Sequence, residues 1–310
     1  MSDPVAMAVV GAGRMGRVHL RAFGSTARAR LAAIVEPAAA AREQVAHLGV
    51  PVVETIDQLL DTGGMDGVVI TAPSDLHLDL VRRCASAGLP VLCEKPCGLT
   101  AEQARAATAA ADQAEAILQV GYYRRFVPDL VALRHRIAER ALGRLSLVSL
   151  HQWDEHPPAP EFAERSGGIV IDMGVHEIDQ VRWLSGQEVE CVVAVTSAAG
   201  DESNVAAALR LSGGGLAVIT LGRQFPMPDS CWTEVMGTSA YERLPFIWGA
   251  DGEAVVDRAI AAELDAFAAA VLSGRPAGPS GADAIAALEV AEMINTSLRE
   301  SGSGVDHPAR

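Results

Sequence analysis

The chain has 310 residues, 49% of them hydrophobic, and carries a formal net charge of −14 at pH 7. This length fits two domains that each bury a core of their own. The negative charge argues against nucleic acid or an anionic membrane surface as the partner, and no apolar run is long enough to predict a transmembrane helix.

Short apolar runs alternate with alanine-rich helical stretches over residues 1–121. Helices are predicted from the glycine run Gly11–Gly16 to Phe23, in a stretch ending near Gly49, over Asp75–Gly88, and after a capping box of Thr100 and Gln103. The predicted strands are Val5–Val10, Leu31–Val35, Val50–Val53, Gly67–Thr71, Leu89–Cys93 and Ile117–Gly121. This alternation predicts an α/β domain over residues 1–121, with the doubly wound parallel sheet of a Rossmann fold.

The pattern changes over residues 122–310, which are predicted to form a second domain. Helices are predicted over Pro128–Leu142 and Gly168–Leu184, with Gly186 as the stop of the latter, and two apolar stripes predict two final helices. Runs with β alternation are Leu145–His151, Glu190–Thr196, Val205–Leu211, Gly215–Arg223 and Cys231–Gly237. They predict an α/β domain with an open, mainly antiparallel sheet.

A glycine motif of the form G-x-G-x-x-G joins the first strand to the first helix, and Glu36 ends the second strand. The glycines allow a tight turn and close approach of a pyrophosphate to the helix N-terminus. A carboxylate at Glu36 can accept hydrogen bonds from the adenosine ribose and repels a 2′-phosphate, so NAD is favoured over NADP. Arg14 and Arg42 keep NADP open, because either could reach a phosphate. The predicted cofactor residues here are Gly11, Gly13, Arg14, Met15, Gly16 and Glu36.

Two later strand ends are expected to face the cofactor, since ligands of open α/β sheets lie outside the carboxyl ends of strands. Thr71, Pro73 and His77 follow the fourth strand, and His77 either contacts the cofactor or only packs locally. Glu94 and Lys95 follow the fifth strand. The Lys95 ammonium is expected to bind the substrate oxygen and to stabilise developing alkoxide charge, the alternative being an ordinary surface lysine.

The predicted helix Gly168–Leu184 places Asp172, His176 and Asp179 on one stripe. His176 is the candidate general base, because an imidazole titrates near neutrality, and Asp172 is expected to orient it or to hold the substrate hydroxyl. A solvent-facing Asp/His pair is the alternative reading of this spacing.

His151 and His156 are rival bases near a strand end. Gly174 costs helix stability at a mid-helix position, which suggests that another group approaches the helix there.

The five cysteines, Cys84, Cys93, Cys97, Cys191 and Cys231, have no repeated spacing. An odd number without a framework favours a reducing cytoplasm. Cys93 and Cys97 lie close together without further ligands nearby, so no metal site is predicted. The N-terminal apolar run has no basic cluster before it and is predicted to be a strand rather than a signal peptide.

These segments together resemble the glucose–fructose oxidoreductase/inositol dehydrogenase (Gfo/Idh/MocA) family, and they occur in that family's order along nearly the whole chain. The matching segments are residues 11–19, Glu94-Lys95-Pro96, Tyr122–Phe126, Gly167-Gly168 with Asp172, Gly174, His176 and Asp179, and residues 273–276. The resemblance implies a Rossmann domain followed by an α/β domain whose open sheet often forms an oligomer interface. It also implies Lys95, Asp172 and His176 as the catalytic set.

The inositol dehydrogenase branch is the most similar one, which implies oxidation of one ring hydroxyl of a cyclitol to a ketone. That branch implies substrate contacts at Arg125, Asp154, His156, Asp179 and Trp232. The His- and Pro-rich segment 152–160 and the short segment after Gly237 depart from the family pattern and leave the particular substrate open.

The sequence therefore predicts a cytoplasmic, NAD-dependent polyol dehydrogenase that forms a dimer or tetramer. A sugar or nucleotide-sugar ketoreductase with the same residues is the alternative enzyme. A third reading is a protein that senses a dinucleotide without catalysis, because a fold alone does not determine a function.

Overall fold

The fold is given by a computed structural model that describes residues 3–198, 201–245 and 252–301. The twelve described strands are β1 Val5–Val10, β2 Ala29–Val35, β3 Val52–Val53, β4 Gly67–Ile70, β5 Val91–Glu94, β6 Leu118–Gly121, β7 Leu145–Asp154, β8 Val189–Ala198, β9 Asp201–Leu211, β10 Leu216–Arg223, β11 Ser230–Gly237 and β12 Tyr241–Pro245. The α-helices are α1 Arg14–Ala22, α2 Ala39–Val45, α3 Ile56–Thr62, α4 His77–Ser86, α5 Ala101–Gln113, α6 Pro128–Ala138, α7 Pro160–Arg165, α8 Val175–Ser185, α9 Gly252–Ser273 and α10 Gly281–Ser301. Within the described residues, no helix combines the length and apolar character needed to cross a membrane.

The chain divides into two compact units. Unit 1 comprises Met1–Pro128 and Glu253–Ala286, and unit 2 comprises Asp129–Gly252 and Ala287–Arg310. Unit 1 therefore contains nearly all of α9, although this helix follows the strands of unit 2 in the sequence.

Unit 1 is built on a parallel sheet with the strand order β3-β2-β1-β4-β5-β6. This is the order of a Rossmann fold, and it reverses direction between β1 and β4, where such folds bind ligands. β1, β4 and β5 are buried along their whole length, as expected for strands covered on both faces. Phe267 of α9 packs against Gly67 at the start of β4, where a Cβ would come within 3.2 Å of the ring.

Unit 2 is built on a six-stranded sheet with the order β12-β11-β7-β10-β9-β8. β7 and β10 pair in parallel, and the other neighbouring strands pair antiparallel. One face, here called the inner face, carries Val148, Leu150 and Ile219, which are buried. The opposite, outer face carries Val193 and Leu216, which are exposed. Alternation of buried and exposed residues along each strand produces these two faces.

The predicted α/β architecture is confirmed for both sheets, and several local elements differ from the prediction. α3, α7 and β12 were not predicted. α3 begins at a full capping box, in which the Thr55 side chain accepts from the Gln58 backbone N–H. Thr100 caps α5 in the predicted way, but the Gln103 side chain accepts from Leu99 rather than from Thr100.

The predicted helix Gly168–Leu184 contains a π-helical turn over Val170–Gly174, and α8 continues from it. Gly186 ends α8 with φ +64°, as predicted. A Cβ on Gly174 would lie 3.0 Å from Leu221 of β10, so the expected close approach is confirmed.

Candidate functional site

The three glycines of the loop in unit 1 differ in what a side chain at each position would meet. Gly11 has φ +99°, and a Cβ there would lie 2.9 Å from the Ala72 nitrogen. A Cβ on Gly16 would overlap the Gly11 carbonyl oxygen, whereas one on Gly13 would meet nothing within 4 Å. Gly11 and Gly16 therefore let the loop and α1 pack, and Gly13 leaves open space in front of the backbone.

The N-terminus of α1 lies at this open space. Gly13 is its N-cap, no side chain caps it, and its first turn contains no acidic residue. Arg14 is exposed and Met15 is half-buried. Uncapped N–H groups and the partial positive charge of the helix end suit a pyrophosphate, so the loop fits an NAD-type dinucleotide.

Glu36 lies beside the same loop, after β2, and is buried. Its Oε2 atom accepts from the Ala12 nitrogen at 2.7 Å, and its Oε1 atom accepts from the Ala38 nitrogen at 2.8 Å. Arg42 donates to the backbone oxygens of Glu36 and Pro37 and to the Glu54 carboxylate. Because its donors already serve these acceptors, Arg42 is a weak candidate for binding a 2′-phosphate.

The residues after β4 hold loops together through backbone contacts. The Thr71 hydroxyl donates to Gly11 O at 2.7 Å, across the point where the strand order reverses. The ring nitrogens of His77 lie 2.7 Å from Pro96 O and 2.8 Å from Ala72 O. Burial lowers the pKa of His77, although both backbone contacts oppose this. Direct contact of Thr71, Pro73 or His77 with a cofactor stays a prediction.

Glu94 is the last residue of β5, and Lys95 follows it at the carboxyl end of the strand. Lys95 is half-buried. Glu94 is buried, with its Oε1 atom 2.7 Å from His19 Nε2 and its Oε2 atom accepting from the Lys95 backbone nitrogen at 3.1 Å. His19 lies on the buried face of α1, one turn after Gly16. His19 lies within the family-like segment 11–19, and no role was predicted for it.

Arg125, a predicted substrate contact, also lies in unit 1. Its Nη2 atom is 2.8 Å from Asp283 Oδ1 in α10. Burial alone would raise the pKa of Asp283, but the Arg125 charge and hydrogen bonds from Ser280 outweigh burial and lower it. Arg125 is therefore held in a partly buried ion pair, and its contact with a substrate stays a prediction.

The acid and imidazole of unit 2 lie on either side of the junction between the π-helical turn and α8. Asp172 is half-buried within the turn, while His176 and Asp179 are buried in α8. Asp172 Oδ2 accepts from Nη2 of Arg223 at 2.8 Å. Arg223 is the last residue of β10. Single-turn π-helical insertions are frequent at functional sites, and this one lies at the predicted acid.

Arg223 was missed by the sequence analysis, although it sits at a strand end. Its strand register places it opposite Asp154 of β7. Burial raises the pKa of Asp154, assisted by the negative charges of Asp229 and Asp172, against a lowering by Gln152 and Arg223. Asp154, Asp172 and Arg223 therefore form a partly buried group of charges in unit 2.

The remaining candidates of unit 2 lie elsewhere. The His151 ring stacks on Trp232, with ring centroids 4.5 Å apart, and its nitrogens contact Ser149 and Thr220. These two rings lie on the outer face, because His151 follows the buried inner-face residue Leu150. His156 is exposed. The strand register thus places His151 and Trp232 on the sheet face opposite to Asp154 and Arg223.

Family models match both parts of the chain. The model described as an oxidoreductase family with an NAD-binding Rossmann fold matches residues 5–122, and the model of the GFO/IDH/MocA C-terminal domain matches residues 130–241. The chain is 46% identical to the rhizopine catabolism protein MocA of Rhizobium meliloti over 94% of each chain. It is 33% identical to an inositol 2-dehydrogenase of Rhizobium meliloti, over 96% of this chain and 97% of that relative.

A solved structure shares the whole architecture. A myo-inositol dehydrogenase from Corynebacterium glutamicum superposes with a TM-score of 0.87 at 26% identity, over 96% of this chain and 97% of that one.

Proposed function

Because the chain belongs to the Gfo/Idh/MocA oxidoreductase family, we propose that it oxidises one ring hydroxyl of a cyclic polyol to a ketone, with NAD as the hydride acceptor. The observation that carries this proposal is the pairing of Asp172 with Arg223 directly before the turn that presents His176. An anionic carboxylate and an imidazole on successive turns provide a hydroxyl acceptor and a proton acceptor. The name of one relative, an inositol 2-dehydrogenase, supports a cyclitol as the substrate class.

Three residues carry the chemistry in this proposal. His176 accepts the proton of the substrate hydroxyl, Asp172 accepts a hydrogen bond that orients the imidazole or the hydroxyl, and the Lys95 ammonium stabilises the developing alkoxide. Bound NAD supplies the acceptor for the hydride that leaves the same carbon. The Arg223 guanidinium donates a hydrogen bond to Asp172 Oδ2 and so fixes the orientation of this carboxyl group.

The substrate contacts at Arg125, Asp154, His156, Asp179 and Trp232 belong to the proposal with unequal support. Asp179 lies on α8 with His176, and Asp154 lies opposite Arg223, so both have acceptor oxygens near the proposed catalytic residues of unit 2. Trp232 on the outer face and exposed His156 have no such support.

We also propose that the protein forms a dimer or tetramer through the outer face. Val193 is 62% exposed and Leu216 is 53% exposed, and Tyr241 on β12 is 57% exposed. A continuous sheet face with exposed apolar side chains on several strands is typical of an interface. A second copy of this chain is the proposed occupant, because open sheets of this family often form the oligomer interface. The five cysteines, none of them in a disulfide, support the proposal of a cytoplasmic location.

A substrate screen tests the proposed reaction. Purified protein is assayed with cyclitols, aldoses and ketosugars, in both directions, with NAD(H) and NADP(H). Oxidation of a cyclitol with NAD at the highest kcat/KM is the expected result. A clear preference for a sugar or a nucleotide sugar would overturn the cyclitol assignment, and a clear preference for NADP would overturn the role of Glu36.

Single variants test the residues. Lys95→Ala and His176→Ala should each lower kcat at least about 100-fold, the usual scale for a charge stabiliser or a general base. His151→Ala is the matched control, since it removes a rival imidazole on the outer face, and should retain most of the turnover. Near-normal kcat in the Lys95 or His176 variant, or a larger loss in a control, would contradict the assignment.

A further inference from the structure

Three ionisable side chains from separate elements meet in the core of unit 1. His19 comes from α1, Glu94 from the end of β5 and Glu263 from α9, and one potential ligand atom of each lies within 4.8 Å of the others. Their exposed fractions are 0%, 4% and 0%, respectively. Charged groups are rarely buried to this extent unless they are paired or functional, and two carboxyl groups with one imidazole need a defined set of protons.

Glu263 is the member of this cluster on which a negative charge would not be compensated. Neither of its carboxyl oxygens has a hydrogen-bond partner among the described residues. Burial raises the pKa of Glu263 well above its usual range, and the negative charge of Glu94 raises it further. Two neighbouring carboxyl groups in a low-dielectric core do not both ionise. The protonated acid is therefore the form that this core stabilises, and that form is a hydrogen-bond donor.

Glu94 connects this group to Lys95. One carboxyl oxygen of Glu94 contacts His19 Nε2 at 2.7 Å, and the other accepts from the Lys95 backbone nitrogen at 3.1 Å. Gly121 lies beside Glu94 on β6, and a Cβ there would come within 3.0 Å of the Glu94 carboxyl group. Because Gly121 has no side chain, the Glu94 carboxyl group fits beside it. In this position the carboxyl group holds the backbone from which the Lys95 side chain projects.

We propose that Glu263 and His19 are positioning residues for Lys95: Glu263, as a neutral acid, turns its carboxyl group so that its proton faces the Glu94–His19 pair, whose ligand atoms lie within 4.8 Å of its own, and so fixes the carboxyl group that binds the Lys95 backbone amide. No covalent bond forms or breaks in this arrangement. The proposal rests on the proposed function only where it treats Lys95 as catalytic, since the proton on Glu263 is independent of the reaction. A divalent cation held by the same three side chains is the competing explanation.

Infrared difference spectroscopy tests the proton directly. The wild-type spectrum minus that of Glu263→Gln, taken at neutral pH in the absence of substrate, should contain the C=O stretch of a protonated carboxyl group. Elemental analysis of the same protein should show no stoichiometric divalent metal. A difference spectrum with only carboxylate bands, or one metal ion per chain, would overturn the proposal.

Kinetics test the positioning role. Glu263→Gln keeps a neutral donor of the same shape and should retain a kcat close to that of the wild type. Glu263→Leu removes the donor and should lower kcat on the order of 10- to 100-fold, the scale for a displaced catalytic group, with a smaller change in the KM for NAD. Phe267→Leu, one turn further along α9, is the matched control and should lower thermal stability while kcat is retained.

Two results would refute the positioning role: a Glu263→Leu kcat no lower than that of Phe267→Leu, or a Glu263→Gln kcat as low as that of Glu263→Leu. Failure of the proposed function is recognised separately. An active Lys95→Ala variant would remove the catalytic role of Lys95 and leave the infrared band in place.

Discussion

The buried acid Glu263 predicts an unusual pH dependence of stability. In the unfolded chain this glutamate ionises with an ordinary pKa near 4.3, whereas burial, and then the charge of Glu94, raise its pKa in the folded protein well above that value. Between the two pKa values the folded state binds one proton more than the unfolded state. The free energy of unfolding must therefore fall as pH rises through this interval, which is opposite to the behaviour of a carboxylate in a salt bridge.

The magnitude follows from the proton count. One proton released on unfolding lowers the free energy of unfolding by about 1.4 kcal/mol for each pH unit. Because Glu263 is fully buried, solvent does not screen this term. The glutamine side chain in the Glu263→Gln variant cannot ionise, so this pH-dependent contribution to the free energy of unfolding is absent from the variant. Other titrating groups contribute to both proteins alike, so between the unfolded-state and folded-state pKa values of Glu263 the wild type should lose up to about 1.4 kcal/mol per pH unit more than the Gln variant.

Hydrogen exchange measured by mass spectrometry on peptides from β5 and α9 is the suitable assay. Tryptophan fluorescence would not report on unit 1, because residues 3–128 and 253–286 contain no tryptophan. Comparing the two proteins at the same pH cancels the intrinsic exchange rate. Protection of these peptides in the wild type should fall by up to about tenfold per pH unit relative to the variant. Parallel pH profiles for the two proteins would contradict the prediction that Glu263 stays protonated in the folded protein.

Three further predictions concern the cofactor loop, the acid of unit 2 and the outer face. Gly13→Val should leave the melting temperature of the cofactor-free protein unchanged and weaken NAD binding in calorimetry. Gly16→Ala should lower both the melting temperature and the NAD affinity, because of these two positions only Gly16 has backbone atoms where the Cβ would lie. Unchanged NAD affinity in Gly13→Val would contradict the loop assignment. Arg223→Met leaves Asp172 without its guanidinium partner and should lower kcat roughly 10- to 150-fold, since a hydrogen bond to a charged group contributes about 1.5–3 kcal/mol. Arg223→Lys should recover part of the loss. A normal kcat in the Arg223→Met variant would exclude a role for this pair. Val193→Asp should lower the molar mass measured by light scattering, because it places a charge on an exposed apolar sheet face, and an unchanged mass would place the interface elsewhere.

The two sheets could be predicted from the sequence because their strands are long apolar runs with the right period. β1 was predicted over the range that the structure has, since Val5–Val10 is a continuous apolar run that ends at a glycine. α3 and β12 were missed because each is short and has little apolar periodicity of its own. α9 illustrates a different limit: its apolar stripe predicts a buried face, but periodicity does not state which part of the chain covers that face.

The same distinction applies to the candidate site. Strand ends, glycine turns and helical spacing made Lys95, Asp172 and His176 candidates, because each lies in a local pattern. Arg223 and Glu263 are separated from the residues they support by 51 residues or more in the sequence, so no local pattern connects them. A glutamate within the apolar stripe of α9 was the available signal for Glu263, since such a position is unfavourable unless the side chain has a partner or a proton.

The supporting residues differ from the catalytic candidates in a way that physical chemistry explains. Lys95 and Asp172 must stay accessible enough to meet a substrate, and both are half-buried. An accessible side chain is not fixed by packing, so its orientation has to come from a partner that is more rigid than itself. In unit 2 that partner is Arg223, a charged group at the end of a central strand. In unit 1 the partner is the buried carboxyl group of Glu94, which accepts from the Lys95 backbone nitrogen and so fixes the backbone from which the lysine side chain projects.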